Sequence, residues 1–169
     1  FKSKKTGGGA SGLTLKESDK VKESLKKDWP DDKSLLKEIS RLASEISSEL
    51  SVSGTLDGGS TFTFGFSNLF GEPEFRIFNN MNRLMHFMDN IDKRFEELWQ
   101  KVLFEDLNVF IGSENPIKEI NEFTLITGKY QLPEGEAGFI SVIGPKRMNY
   151  RRNMALVEYI GRCVEDIKK

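Results

Sequence analysis

The stretch Phe139-Ile140-Ser141-Val142-Ile143-Gly144-Pro145-Lys146-Arg147-Met148-Asn149-Tyr150 decides how this chain folds. Its apolar first half predicts a buried strand, and Gly144-Pro145 predicts the end of that strand, because proline cannot donate to a strand ladder. Beyond Asn149, apolar residues recur with the period of a half-buried helix, at Leu156, Ile160, Cys163 and Ile167. The sequence therefore predicts a strand, a sharp turn and a closing helix.

Positive charge collects around this turn, at Lys146, Arg147, Arg151 and Arg152. One interpretation is an anion or partner contact, since a helix N-terminus and arginine forks both favour negative charge. The other is a structural corner in which Arg147 pairs with a carboxylate and Tyr150 packs under the turn. We favour the corner, and the residues at issue are Gly144, Pro145, Arg147, Met148 and Tyr150.

The same residues carry a family resemblance. Gly-Pro-x-Arg-Met-x-Tyr at 144–150, followed by Leu156-Val157-Glu158-Tyr159, resembles the C-terminal end of the HrcA family of heat-inducible transcription repressors. Three further pieces agree in order and spacing: Asn68-Leu69-Phe70 with Pro73-Glu74-Phe75, then Ile111-Gly112-Ser113-Glu114-Asn115, then Gly138-Phe139-Ile140-Ser141-Val142-Ile143. The resemblance runs from about Gly65 to the C-terminus and more weakly back to about Leu13.

The resemblance implies a GAF-like core and a homodimer in the cytoplasm, without a cofactor. It also implies a winged-helix domain on the N-terminal side that reads an inverted-repeat operator, and a chaperonin partner. Between Leu50 and Gly65 the family carries the first part of its core and an inserted dimerisation segment, where this chain has only a short Gly-rich bridge. The chain therefore resembles a reduced member of the family.

Composition restricts the class of function. Lysine and arginine total 25 against 26 acids, a net charge of −1, so the chain lacks the basic excess of a nucleic-acid binder. No apolar run approaches the length of a membrane span. The one histidine, His86, and the one cysteine, Cys163, leave neither a catalytic set nor a metal site to argue for, so we expect no enzyme.

The chain divides into three predicted parts. Residues 1–12 are basic and Gly-rich and predict a flexible linker, residues 13–52 a helical segment, and residues 53–169 a GAF-like α+β domain. Because Phe1 is not an initiating Met, we expect that the sequence begins partway through a longer protein or has lost residues at its start.

Two helices are predicted in the helical segment. Thr14 and Glu17 form a capping box for the first, and Asp32 can cap the second. The second helix has a regular apolar stripe at Leu36, Ile39, Ala43, Ile46 and Leu50. Such a stripe packs on the domain's own sheet or forms a dimer seam, and we favour the sheet.

The remaining pattern predicts about four strands and two further helices. Phe62, Phe64 and Phe66 alternate with small residues and predict a strand; Leu107–Ile111 predicts another; residues 122–131 and 137–143 predict a hairpin. A long helix is predicted from residue 71 to about residue 103, with a methionine stripe at Met81, Met85 and Met88. These elements indicate an α+β fold, an antiparallel sheet with packed helices.

The sequence supports three hypotheses about function. The leading hypothesis is the C-terminal regulatory and oligomerisation part of an HrcA-type repressor of chaperone operons. The alternative is a GAF-like sensor with an apolar ligand pocket lined by Phe62, Phe64, Phe66, Met81, Met85 and Met88. A protein-interaction scaffold is the third.

Overall fold

A computed structural model of the chain describes residues 12–71, 73, 78–101 and 105–167. Almost all of the predicted linker, residues 1–11, lies outside these ranges. The strands are β1 Leu50–Thr55, β2 Thr61–Phe64, β3 Leu107–Ile111, β4 Thr124–Gln131 and β5 Ala137–Gly144. They form one antiparallel sheet in the order β2-β1-β5-β4-β3. The predicted α+β fold is confirmed, with five strands where about four were expected.

The additional strand is β1, in the segment predicted to be the end of a helix and a short bridge. Leu50 and Val52 point into one core, whereas Ser51 and Ser53 face the helix layer on the other side. There Ser53 Oγ donates to the Leu36 carbonyl at 2.6 Å. Leu50 therefore belongs to a strand, and its assignment to the helical stripe was wrong. The strand was not recognised because hydrogen-bonded serines can occupy a buried face that patterns assign to apolar residues.

The helices are α1 Leu15–Leu25, α2 Asp32–Ser47, α3 Phe78–Asp89, α4 Ile91–Lys101 and α5 Tyr150–Ile167. The capping box of α1 is confirmed, with the Glu17 amide donating to Thr14 Oγ1 at 3.0 Å. The cap of α2 is Asp31, whose Oδ1 accepts from the Ser34 amide at 2.8 Å, and the prediction of Asp32 was wrong by one residue.

The predicted long helix is two helices. Asn90 lies between α3 and α4, where its amide donates to the Phe87 carbonyl at 3.1 Å and its Nδ2 to the His86 carbonyl at 2.9 Å. A side chain that binds the local backbone in this way competes with the helical ladder. The predicted helix start at Gly71-Glu72-Pro73-Glu74 lies largely outside the described residues, and Phe66–Gly71 forms a 3-10 turn.

Helices cover both faces of the sheet. α1, α2 and α5 share the first core with one face, and α3 and α4 share the second core with the other. Leu36, Ile39, Ala43 and Ile46 are at most 5% exposed and lie in the first core. The stripe of α2 therefore packs on the domain's own sheet, as favoured above, and is not an available dimer seam.

Candidate functional site

Three pieces of the sequence that carry the family resemblance, residues 68–70, 111–115 and 144–150, lie at one end of the sheet. Because neighbouring strands are antiparallel, the ends of β2, β3 and β5 lie beside the starts of β1 and β4. The register pairs Leu50 with Ile143, and Thr124 with both Gly144 and Ile111. We call this the signature end: residues 47–51, 64–71, 111–115, 124 and 144–150.

The corner after β5 is closed by side chains as well as by its backbone. The Met148 amide donates to the Pro145 carbonyl at 3.1 Å, and the Met148 side chain is buried. The Tyr150 hydroxyl lies 3.0 Å from Thr124 Oγ1 and also donates to the Lys146 carbonyl. A Cβ on Gly144 would stand 2.6 Å from the Glu49 carboxylate, so a larger residue there would displace the Glu49 side chain. These contacts support the structural interpretation of Gly144, Pro145, Met148 and Tyr150.

Asn68 fastens a second signature piece to the connection between α2 and β1. Its Nδ2 donates to the Glu49 carbonyl at 3.1 Å and to Ser44 Oγ at 3.2 Å. Gly65 precedes it with a φ of +84°, and a Cβ there would stand 1.9 Å from Ser44 Oγ. Of the neighbouring piece Pro73-Glu74-Phe75, the last two residues lie outside the described ranges.

The four positive charges near the corner have different surroundings. Arg152 Nη2 donates to Glu17 Oε2 at 2.6 Å and to the Ile46 carbonyl, and it thereby joins α5 to α1 and α2. Burial opposes a lowered pKa at Glu17, but the Thr14 amide and Arg152 together hold that pKa below its usual value. Lys146, Arg147 and Arg151 are exposed. The cluster is thus partly structural, and its exposed part faces solvent at the signature end.

Large apolar side chains are exposed at the same end. Phe64 is 45% exposed, Phe70 48% and Ile111 42%. The rings of Phe66 and Phe70 meet edge to face with centroids 5.1 Å apart. We call Phe64 and Phe70, which lie beside edge strand β2, the signature surface; Ile111 ends β3, at the opposite edge of the sheet. Exposed apolar side chains that lie together are typical of interaction sites.

The predicted apolar pocket does not form. Phe62 and Phe64 pair with Ser53 and Ser51 and so lie on the face of the sheet that α2 covers. Phe66 follows the strand and packs against the second core on the opposite face. There too lie Met81 and Met88, half-buried, while Met85 is 45% exposed. The prediction was wrong because the sheet itself separates the two groups.

The structure contains a different cavity, of about 450 Å³, between α3, α4 and the turn at residues 116–119. Arg94 binds the Glu119 carboxylate through two nitrogens, Nε at 2.9 and 3.0 Å and Nη2 at 2.6 Å. This pairing, opposed by burial, holds the pKa of Glu119 below its usual value. The partners are 25 residues apart, and no local pattern in the sequence indicates that they meet.

These features define a class. The antiparallel sheet of five strands with helices packed on both faces defines a GAF-like α+β domain. Within the described ranges, no helix is both long and apolar enough to span a membrane, and no three His, Cys, Asp or Glu side chains are placed to hold a metal ion.

The family follows from comparison with known proteins. Residues 9–154 match the family model described as HrcA protein C terminal domain, and the chain belongs to this family. Similar proteins named heat-inducible transcription repressor HrcA come from Alkaliphilus metalliredigens, 32% identical over 68% of this chain, and Desulfitobacterium hafniense, 34% identical over 79%. The matches cover 33% and 35% of those relatives, so the chain spans about a third of their length.

The fold resembles that of a solved structure. It is a crystal structure of a hypothetical protein at 2.2 Å resolution, with a TM-score of 0.52 and 21% identity. The similarity covers 64% of this chain and 33% of that one and concerns the fold alone.

Proposed function

We propose that this chain is the regulatory and oligomerisation domain of a cytoplasmic, heat-inducible transcription repressor. The observation that carries the proposal is the family match over residues 9–154, on a fold that brings three of the family's sequence pieces to one end of the sheet. A net charge of −1 fits a domain that leaves base reading to another part of the protein. In this proposal the domain acts by binding and not by catalysis, and a winged helix reads an inverted-repeat operator.

The direct test is operator binding at one fixed salt concentration, because affinity for DNA depends steeply on salt. The longer gene product, with its upstream region, and this chain alone are each titrated with an inverted-repeat duplex from a chaperone promoter. We expect the longer protein to bind and this chain not to bind. If neither prefers the operator over unrelated DNA, the proposed repressor function is refuted.

Dimerisation is the part of the proposal that concerns this chain itself. A palindromic operator requires a two-fold protein, and the stripe of α2 is buried. The signature surface is the alternative, since Phe64 and Phe70 are exposed beside β2, which is an edge strand of the sheet that the described residues form. We therefore propose that two copies meet there.

Phe64→Lys tests this interface. We expect the wild-type chain to be dimeric at micromolar concentration and the variant to dissociate at least about tenfold more readily, because the change removes apolar contact and adds like charge. Leu15→Lys is the matched control, since Leu15 is 76% exposed and lies on α1. Sedimentation equilibrium measures both, and a strictly monomeric wild type would contradict the proposal.

A chaperonin is the second partner that the family implies. The repressor would reach its binding-competent form with the help of the chaperonin, so that unfolded protein competing for the chaperonin relieves repression. Refolding of the longer protein from denaturant, with and without chaperonin, should change the yield of operator-binding molecules. An unchanged yield would remove the chaperonin from the proposed mechanism.

A further inference from the structure

We propose that the cavity between α3, α4 and the turn at residues 116–119 binds a small organic anion, one with a phosphate or carboxylate group and an apolar part. This goes beyond the proposed repressor function. The volume of the cavity, about 450 Å³, lies within the usual range for small-molecule sites. The apolar contribution to its lining comes from Leu98, Pro116 and Ile117.

The charges around the cavity are unequal. Four cations, Arg83, Arg94, Lys101 and Lys118, stand against two carboxylates, Glu97 and Glu119. Arg94 is engaged by both carboxylates, bound closely to Glu119 and 3.7 Å from Glu97. Within the part of the chain that the structure describes, Lys101 and Lys118 form no ion pair. The cavity therefore has a net positive charge that an anion would neutralise.

Arg83 is held in a position to bind such an anion. Its Nη2 donates to Asn121 Oδ1 at 2.8 Å and to the Lys118 carbonyl, which fixes the plane of the half-buried guanidinium. Among the described residues, neither Nε nor Nη1 has an acceptor. A fixed guanidinium with free donors binds carboxylate or phosphate with little further loss of entropy.

The ligand would act on the layer that covers the second core. Arg83 lies on α3, Arg94 and Lys101 lie on α4, and Lys118 lies on the turn. An anion held by all of them would bridge two helices and a turn, and so would stabilise this layer against the sheet by mass action. Binding of the anion in the cavity would therefore make it harder for α3 and α4 to separate from the sheet.

Phenyl phosphate is the probe for the test, with inorganic phosphate and benzyl alcohol as its anionic and apolar halves. Each is titrated into the chain at constant ionic strength by calorimetry and by thermal unfolding. We expect phenyl phosphate to bind saturably and to raise the melting temperature. We expect inorganic phosphate to bind more weakly and benzyl alcohol not to bind, because the site recognises both parts of the ligand.

Three variants locate the binding. Lys118→Gln and Arg83→Gln should each lower the affinity for phenyl phosphate by about tenfold, which is the effect of losing one charge-assisted contact. Lys16→Gln makes the same change of charge on an exposed residue of α1 and should leave affinity unchanged. Lys118 is exposed, so its variant tests the site even if Arg83→Gln unfolds.

Two results would overturn the proposal. One is the absence of saturable binding at millimolar probe, and the other is an equal loss of affinity in Lys118→Gln and Lys16→Gln, which would indicate diffuse charge attraction. Both measurements use this chain without DNA, so their failure leaves operator binding untouched and can be told apart from failure of the repressor function.

Discussion

Truncation of Ile39 to alanine tests whether the stripe of α2 is a core or a dimer seam. Ile39 is fully buried in the first core. The change removes Cγ1, Cγ2 and Cδ1, which at about 0.8 kcal/mol per carbon amounts to about 2.4 kcal/mol. The cavity left behind brings the expected loss in free energy of unfolding to about 3–4 kcal/mol. For a domain of this size that is a fall of about 6–16 °C in melting temperature.

Thermal unfolding followed by circular dichroism at two protein concentrations measures this loss. Because the packing is within one chain, the difference between variant and wild type should be the same at both concentrations. Lys33→Ala, on the exposed face of the same helix, is the control and should change stability little. A melting temperature within about 2 °C of wild type, or a loss that vanishes at high concentration, would refute the assignment of the stripe to the core.

Two further predictions concern single positions. Gly65→Ala should destabilise the chain by at least about 3 kcal/mol in a denaturant titration, since it combines a positive φ with a clash against Ser44 Oγ. Gly71→Ala is the control, because a Cβ there would have nothing within 4 Å, and it should be nearly neutral in the same titration. Burial and nearby glutamates raise the pKa of Asp32, so its charge costs stability as the pH rises above about 4. The stability of Asp32→Asn relative to wild type should therefore increase from pH 4 to pH 7. At Asp31 the Ser34 amide lowers the pKa, so Asp31→Asn should lose stability relative to wild type as the pH rises towards about 4, with little further change up to pH 7. Equal slopes for the two variants from pH 4 to pH 7 would contradict this account.

Local periodicity predicted most elements. The first helix, the second helix, the hairpin of β4 and β5 and the closing helix lie where the patterns placed them, within a few residues. Each of these has a strong period or a strong breaker, such as the Gly144-Pro145 turn, and such signals depend on near neighbours in the chain.

β1 was missed for a reason that concerns packing. Ser51 and Ser53 read as polar, yet both are fully buried, because α2 lies close enough for their hydroxyls to meet its backbone. Small hydroxyl side chains allow this approach and satisfy the polar groups at the interface. No property of the segment alone reveals that a helix lies above it.

The candidate sites differ in the same way. Family resemblance indicated the corner at 144–150, and the structure explains its glycine and its tyrosine by contacts with Glu49 and Thr124. The charged cavity could not be anticipated, since Arg83 and Lys118 are far apart in sequence and come together through the packing of α3 on the turn.

The sequence by itself determined the class of fold, the family and most of the element boundaries, because these depend on local periods and on motifs that survive as strings of residues. Only the tertiary structure decided which face of the sheet each side chain occupies. It placed Phe62 and Met81 in different cores, and it covered the stripe of α2. The physical reason is that the surroundings of each face of a strand depend on the helix packed against it, and the fold as a whole determines which helix that is.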